Sequence, residues 1–159
     1  MIDMDEWKQA LREGAVTGSV ACLLSVAVLA LAGRRDAGSA VAPLNAVSHW
    51  LWGDAALHED RVTVRHTLLG YLTHHLSAIF WAVLYARLWG HRREAKSLPQ
   101  AVAGAAATAA FASAFDYGLM PRRLQPGFEQ RLSTRSTVAT FGAIAAGLAL
   151  GALLLRGRD

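Results

Sequence analysis

The chain has 159 residues, room for one ordinary domain. Its 53% hydrophobic and 18% charged residues, with a positive mean hydropathy, exclude an ordinary soluble domain, in which about a quarter of residues are charged. The formal charge of +4 does not mark a nucleic-acid partner, because the basic residues form short clusters at the ends of apolar runs (Arg34-Arg35, Arg92-Arg93, Arg122-Arg123, Arg156 and Arg158), as the anchors of membrane helices do.

The chain opens on the acidic, amphipathic stretch Ile2-Asp3-Met4-Asp5-Glu6-Trp7 and not on the basic n-region of a signal peptide, so the first span is expected to stay in place as an uncleaved anchor. Ile2, Met4, Trp7, Ala10 and Leu11 fall close to one helical face. A short interfacial helix is expected there, with Trp7 at the headgroups. The first span is predicted from Gly14 to Gly33, with Gly14, Gly18, Ala21, Cys22 and Ser25 forming a stripe of small residues that lets another helix approach closely. Cys22 is the single cysteine, which excludes an intrachain disulfide; inside this run it reads as a small packing residue.

From Asp36 to Arg65 runs a long connection with too many polar groups and breaks to cross a bilayer. It contains Asn45, Ser48, His49, Trp50, Trp52, Asp54 and His58, and is apolar enough to fold partly into the membrane surface. The second span, Thr67 to Trp89, is unusual in holding His74 and His75; His66, Gly70, Thr73, His74, Ser77 and Trp81 recur along one side. The third, Gln100 to Met120, is rich in alanine and carries Asp116-Tyr117 near its far end. Its low bulk places it in the centre of the helix packing. A loop with Arg122, Arg123, Glu129 and a Pro126-Gly127 turn leads to the last span, Thr137 to Leu155, where Gly142, Ala146, Gly147 and Gly151 give further small-xxx-small pairs.

These elements predict one all-α domain over residues 1–159, an integral membrane four-helix bundle with a short N-terminal amphipathic helix and a long, partly embedded first loop. Basic residues divide evenly between the two sides, so the positive-inside rule does not choose an orientation; the compact basic loop over 90–97 is the more typical cytoplasmic connection and puts both termini in the cytoplasm.

Ionisable groups inside a bilayer cost a few kcal/mol each and need a partner or a purpose. At 1.5 Å per residue, His74 lies about 10 Å in from the first-loop side, and Asp116 about 6 Å from the same side. Above them lie the first loop, with Asn45, His49, Asp54 and His58, and the third loop, with Arg122 and Glu129. One reading gathers these eight residues and His75 into a polar pocket opening under the two longer loops. The other is a structural network, such as His74 or His75 with Asp116, that fixes helix register. Adjacent histidines point about 100° apart on a helix, so His74 and His75 cannot grip one metal ion together; a metal or haem would need one of them with Asp116, a loop residue or another subunit. No HExxH, GxSxG, phosphate loop or CxxC points to an enzyme.

The stretches Ala42-Pro43-Leu44-Asn45-Ala46, Leu69-Gly70 and His74-His75-Leu76-Ser77-Ala78-Ile79-Phe80-Trp81-Ala82 resemble the small YagU-like bacterial inner-membrane proteins, over about half the chain. That resemblance implies an inner-membrane location and a four-helix topology, and carries no catalytic residues. The leading functional expectation is a non-enzymatic accessory subunit or oligomeric component, joined to other membrane subunits or to itself through small-residue stripes on the first and last spans. The alternative is a small-molecule, metal or haem-binding membrane protein, a transporter or an enzyme, that uses His74, His75 and Asp116 beneath the first loop.

Overall fold

The computed structural model describes residues 4–156, so Ile2 of the amphipathic stretch and Arg158 of the last basic cluster lie outside the described residues. Among those residues the secondary structure is helical, with no strand. Four helices are long and apolar enough to cross a membrane. They are α1 (Met4–Ala37), the helical stretch Val64–Gly90 whose regular part is α4 (Leu69–Tyr85), α5 (Leu98–Gly118) and α6 (Thr134–Leu154). Two short helices, α2 (Ala42–Val47) and α3 (His49–Trp52), build the first connection.

The apolar runs placed these helices correctly, but α1 corrects one boundary. The expected interfacial helix and first span are a single helix of 34 residues, about 51 Å long against a hydrocarbon core of about 30 Å. No proline interrupts it, and Gly14 and Gly18 do not break it because each presses against the backbone of α4, at Val83 and Ile79. The helix is therefore longer than such a core is thick, and its charged first turns are the surplus. Trp7 and Ala10 pack on Val83 and Ala86, Glu6 pairs with Arg87 at 2.7 Å, and the Arg87 guanidinium lies over the Trp7 ring.

Packing order corrects a second expectation. The central helix is α1, which packs along both α4 and α6; alanine-rich α5 lies at the edge, against α6 and barely touching α4. Small residues set the close approaches around α1: a methyl added at Gly147 would run into Ala21, and one at Gly151 into Thr17. The small stripe of the first span is consumed inside the molecule, with Gly14, Gly18, Ala21, Cys22 and Ser25 all buried. Cys22 is the packing residue expected.

The first connection folds inward. Every residue of α2 is buried, and Leu44 and Val47 join Leu29 and Phe128 in a core beneath the surface. Asn45 explains why a polar loop goes there: its amide donates to the carbonyls of Glu59 and Arg61, both at 2.9 Å, and its oxygen accepts from Thr67 at 2.7 Å. A buried amide with its hydrogen bonds made carries little desolvation penalty. The third connection lies against this plug, where Gly127, with φ of 91°, rests on the His49 ring where a side chain would clash.

Candidate functional site

Between α4 and α5, where the two helices barely touch, lies a cavity of about 560 Å³. His74 and Asp116 line it, on α4 and α5 respectively, together with Thr73, Ser77, Trp81 and Phe115. Its roof is built by both loops, through Val47 and Trp50 from the first and Leu124, Pro126 and Phe128 from the third. The Trp50 indole N–H donates to the Gln125 carbonyl at 2.7 Å and ties the two roof segments together. Leu76 and Phe80, both lining and both more than half exposed, form the open side of the cavity.

His74 reaches the cavity from a fixed position. Its Nε2–H donates to Ser25 Oγ at 2.8 Å, because the single Ser25 hydroxyl proton already goes to the Cys22 carbonyl at 3.0 Å. Nδ1 is then left without a proton and is free to accept. The same rule holds twice more: His75 donates to Ser19, whose hydroxyl bonds the Ala15 carbonyl, and His66 donates to Ser48, whose hydroxyl bonds the Asn45 carbonyl. The serines on α1 thus receive the two adjacent histidines of α4, one each.

Asp116 makes no hydrogen bond or ion pair with another described residue, and no lysine or arginine lines the cavity. The expected pairing of His74 or His75 with Asp116 is absent among the described residues; helix register is fixed by serines instead. His75 points away from the cavity, its ring edge against Tyr71.

Besides His75, the other eight residues expected in one pocket are spread over four places. His74 and Asp116 share the cavity. Asn45 and His49 are buried in the roof, where His49 Nδ1 donates to the Ala46 carbonyl at 2.9 Å and Nε2 lies 3.4 Å from that of Arg122. Asp54, His58 and the Arg122 side chain are exposed on the outer surface. Glu129 faces a separate groove between α5 and α6, where one carboxylate oxygen lies 3.4 Å from the Tyr117 hydroxyl and the other is buried without a partner. His74, His75 and Asp116 do not converge, and no three ligating side chains among the described residues could hold a metal ion.

The aromatic walls were not anticipated. Phe115 and Phe111 flank Trp81, at 5.7 and 5.9 Å between ring centroids, and Phe128 meets His74 edge-on at 6.2 Å. Two phenylalanines four residues apart among alanines were the available signal on α5, since that spacing puts both on one side of a helix. No family model matches the chain, and neither does any curated protein or solved structure.

Proposed function

We propose that the chain crosses a bacterial inner membrane four times as a helical bundle, with both termini cytoplasmic, and binds a small apolar or amphipathic molecule drawn from the lipid phase. Four helices of sufficient length and hydropathy support the insertion. So do Leu23, Leu31, Leu76, Phe80, Phe111 and Val138, large apolar side chains more than half exposed that lipid would cover. The YagU-like resemblance supports the bacterial inner membrane, and the basic loop over 90–97 supports the orientation.

The observation that carries the binding reading is the cavity between α4 and α5. Its volume falls in the range of about 300 to 1,000 Å³ typical of ligand sites, and its mostly apolar walls with few polar groups match their composition. Filling it tests the reading. In native mass spectrometry of protein purified in mild detergent, the wild-type chain is expected to carry a bound small molecule, and Ser77→Trp, which fills the cavity, is expected to lack it. The same adduct on both, or none on either, contradicts the proposal.

The accessory-subunit reading keeps one supporting feature. The groove between α5 and α6, about 700 Å³, is lined by Ala106, Ala110 and Gly142, and a methyl added at Gly142 meets nothing within 4 Å. A helix of another subunit or of a second copy fits that surface. Gly142→Leu should then lower the oligomeric mass measured in detergent, and an unchanged mass removes this reading.

A further inference from the structure

We infer that the molecule held between α4 and α5 is a lipophilic organic cation; this rests on the reading that the cavity takes a ligand from the lipid phase. The walls and the charge of the cavity together select the class. Asp116 contributes a carboxylate with no hydrogen-bonding or ionic partner among the described residues, and no lysine or arginine lines the space. A carboxylate in apolar surroundings is costly unless a countercharge joins it, and a cationic ligand brings that countercharge with it. An anion would be repelled by the Asp116 carboxylate, and beside a neutral molecule the group could be neutralised only by taking up a proton, whereas a cation pairs with it as it stands. Glu129, which faces the neighbouring groove beside Tyr117, likewise has no ion pair among the described residues, and the nearest basic side chains, Arg122 and Arg123, are exposed outside the cavity lining.

The rings around the cavity favour the same ligand. Trp50, Phe80, Trp81, Phe115 and Phe128 all line it, and the negative faces of aromatic rings attract organic cations at about 0.5 to 2 kcal/mol per contact. The unprotonated Nδ1 of His74 adds an acceptor for an ammonium N–H. A bare metal ion does not fit, because it needs several oxygen, nitrogen or sulfur ligands converging on one point, and these walls are mainly carbon. The ligand class is therefore a bulky apolar cation, such as a hydrophobic amine or an onium ion, that partitions into lipid and enters on the side bordered by Leu76 and Phe80.

Two ions of the same size and shape but opposite charge test this directly. Saturable binding of tetraphenylphosphonium and of tetraphenylborate would be measured on the full chain in detergent, taking as specific only the part that Ser77→Trp abolishes. The phosphonium should bind at least tenfold more tightly than the borate. Asp116→Asn should weaken the phosphonium tenfold or more, and Asp116→Glu, which keeps the charge, should retain most of the affinity even if the asparagine variant folds poorly. Equal or tighter binding of the borate, or unchanged phosphonium affinity in a folded Asp116→Asn, overturns the cation assignment and leaves the cavity reading standing. No saturable binding of either ion overturns the assignment, and the absence of the adduct sought by native mass spectrometry would then remove the cavity reading as well.

Discussion

The two sides of α4 are built differently. Towards α1 the seam is sealed: Gly14 and Gly18 bring the helix backbones together, and His74 and His75 each donate to a serine of α1. Towards α5 the helices part and leave a cavity of about 560 Å³ lined by aromatic rings and a carboxylate that has no hydrogen bond or ion pair among the described residues. Polar groups in the sealed seam hold helices together, and polar groups at the open seam face whatever enters. His74 belongs to both, with one ring nitrogen engaged by α1 and its side chain on the cavity wall.

The largest expected effect comes from forcing the sealed seams apart. Gly147→Val places branched carbon where Ala21 backbone already sits, and Gly18→Val does the same against Ile79. Each should cost about 3 kcal/mol or more, read as a fall in the denaturant or thermal midpoint of the purified protein. Next comes the roof. Asn45→Ala leaves the partly buried Glu59 and Arg61 carbonyls and the Thr67 hydroxyl without these bonds, for an expected loss of about 1 to 3 kcal/mol. Smaller again is Ser25→Ala, which leaves the His74 N–H unpaired at about 1 to 2 kcal/mol. At the open seam, Ser77→Trp should leave the melting temperature unchanged or raise it while ligand is lost; a large destabilisation would show that the seam closes in solution.

The smallest effect is a pH dependence in the first loop. The backbone N–H of Arg61, and then its guanidinium, hold the Glu59 carboxyl below the usual carboxylate range. A depressed folded-state value means that the contribution is present above the unfolded value of about 4.3 and is lost as pH falls through the folded one. Glu59→Gln should therefore flatten the acid limb of stability by lowering stability slightly at neutral pH, with little change at the acid end. A wild-type acid limb that survives the substitution assigns it to other groups.

The four long helices were legible because an apolar run of twenty or so residues between charged clusters has few alternatives. Which helix lies in the middle was not. Alanine and glycine permit close approach without naming the partner, so the composition of α5 pointed to the centre while Gly14, Gly18 and Cys22 put α1 there. The His74–Asp116 pairing failed for a related reason. Ser19 and Ser25 read as small packing residues, although their hydroxyls, bonded within α1, leave lone pairs that suit a histidine from α4. The inward fold of Ala42–Val47 depends on Asn45 bonding residues 14 to 22 positions away, which no local pattern encodes. His74 and Asp116 could be placed in the same layer from helix geometry alone, and that part of the site was accessible from sequence.

The contrast between the seams is tested most directly by thiol accessibility. Cys22 has no exposed surface and lies in the sealed packing of α1, so it serves as an internal control for Ser77→Cys at the open seam. Treated in detergent with a small permeant thiol reagent such as methyl methanethiosulfonate, Ser77→Cys should gain one modification, mapped to position 77, while Cys22 stays unmodified. Modification of Cys22 at a similar rate, or protection of position 77, would contradict the account.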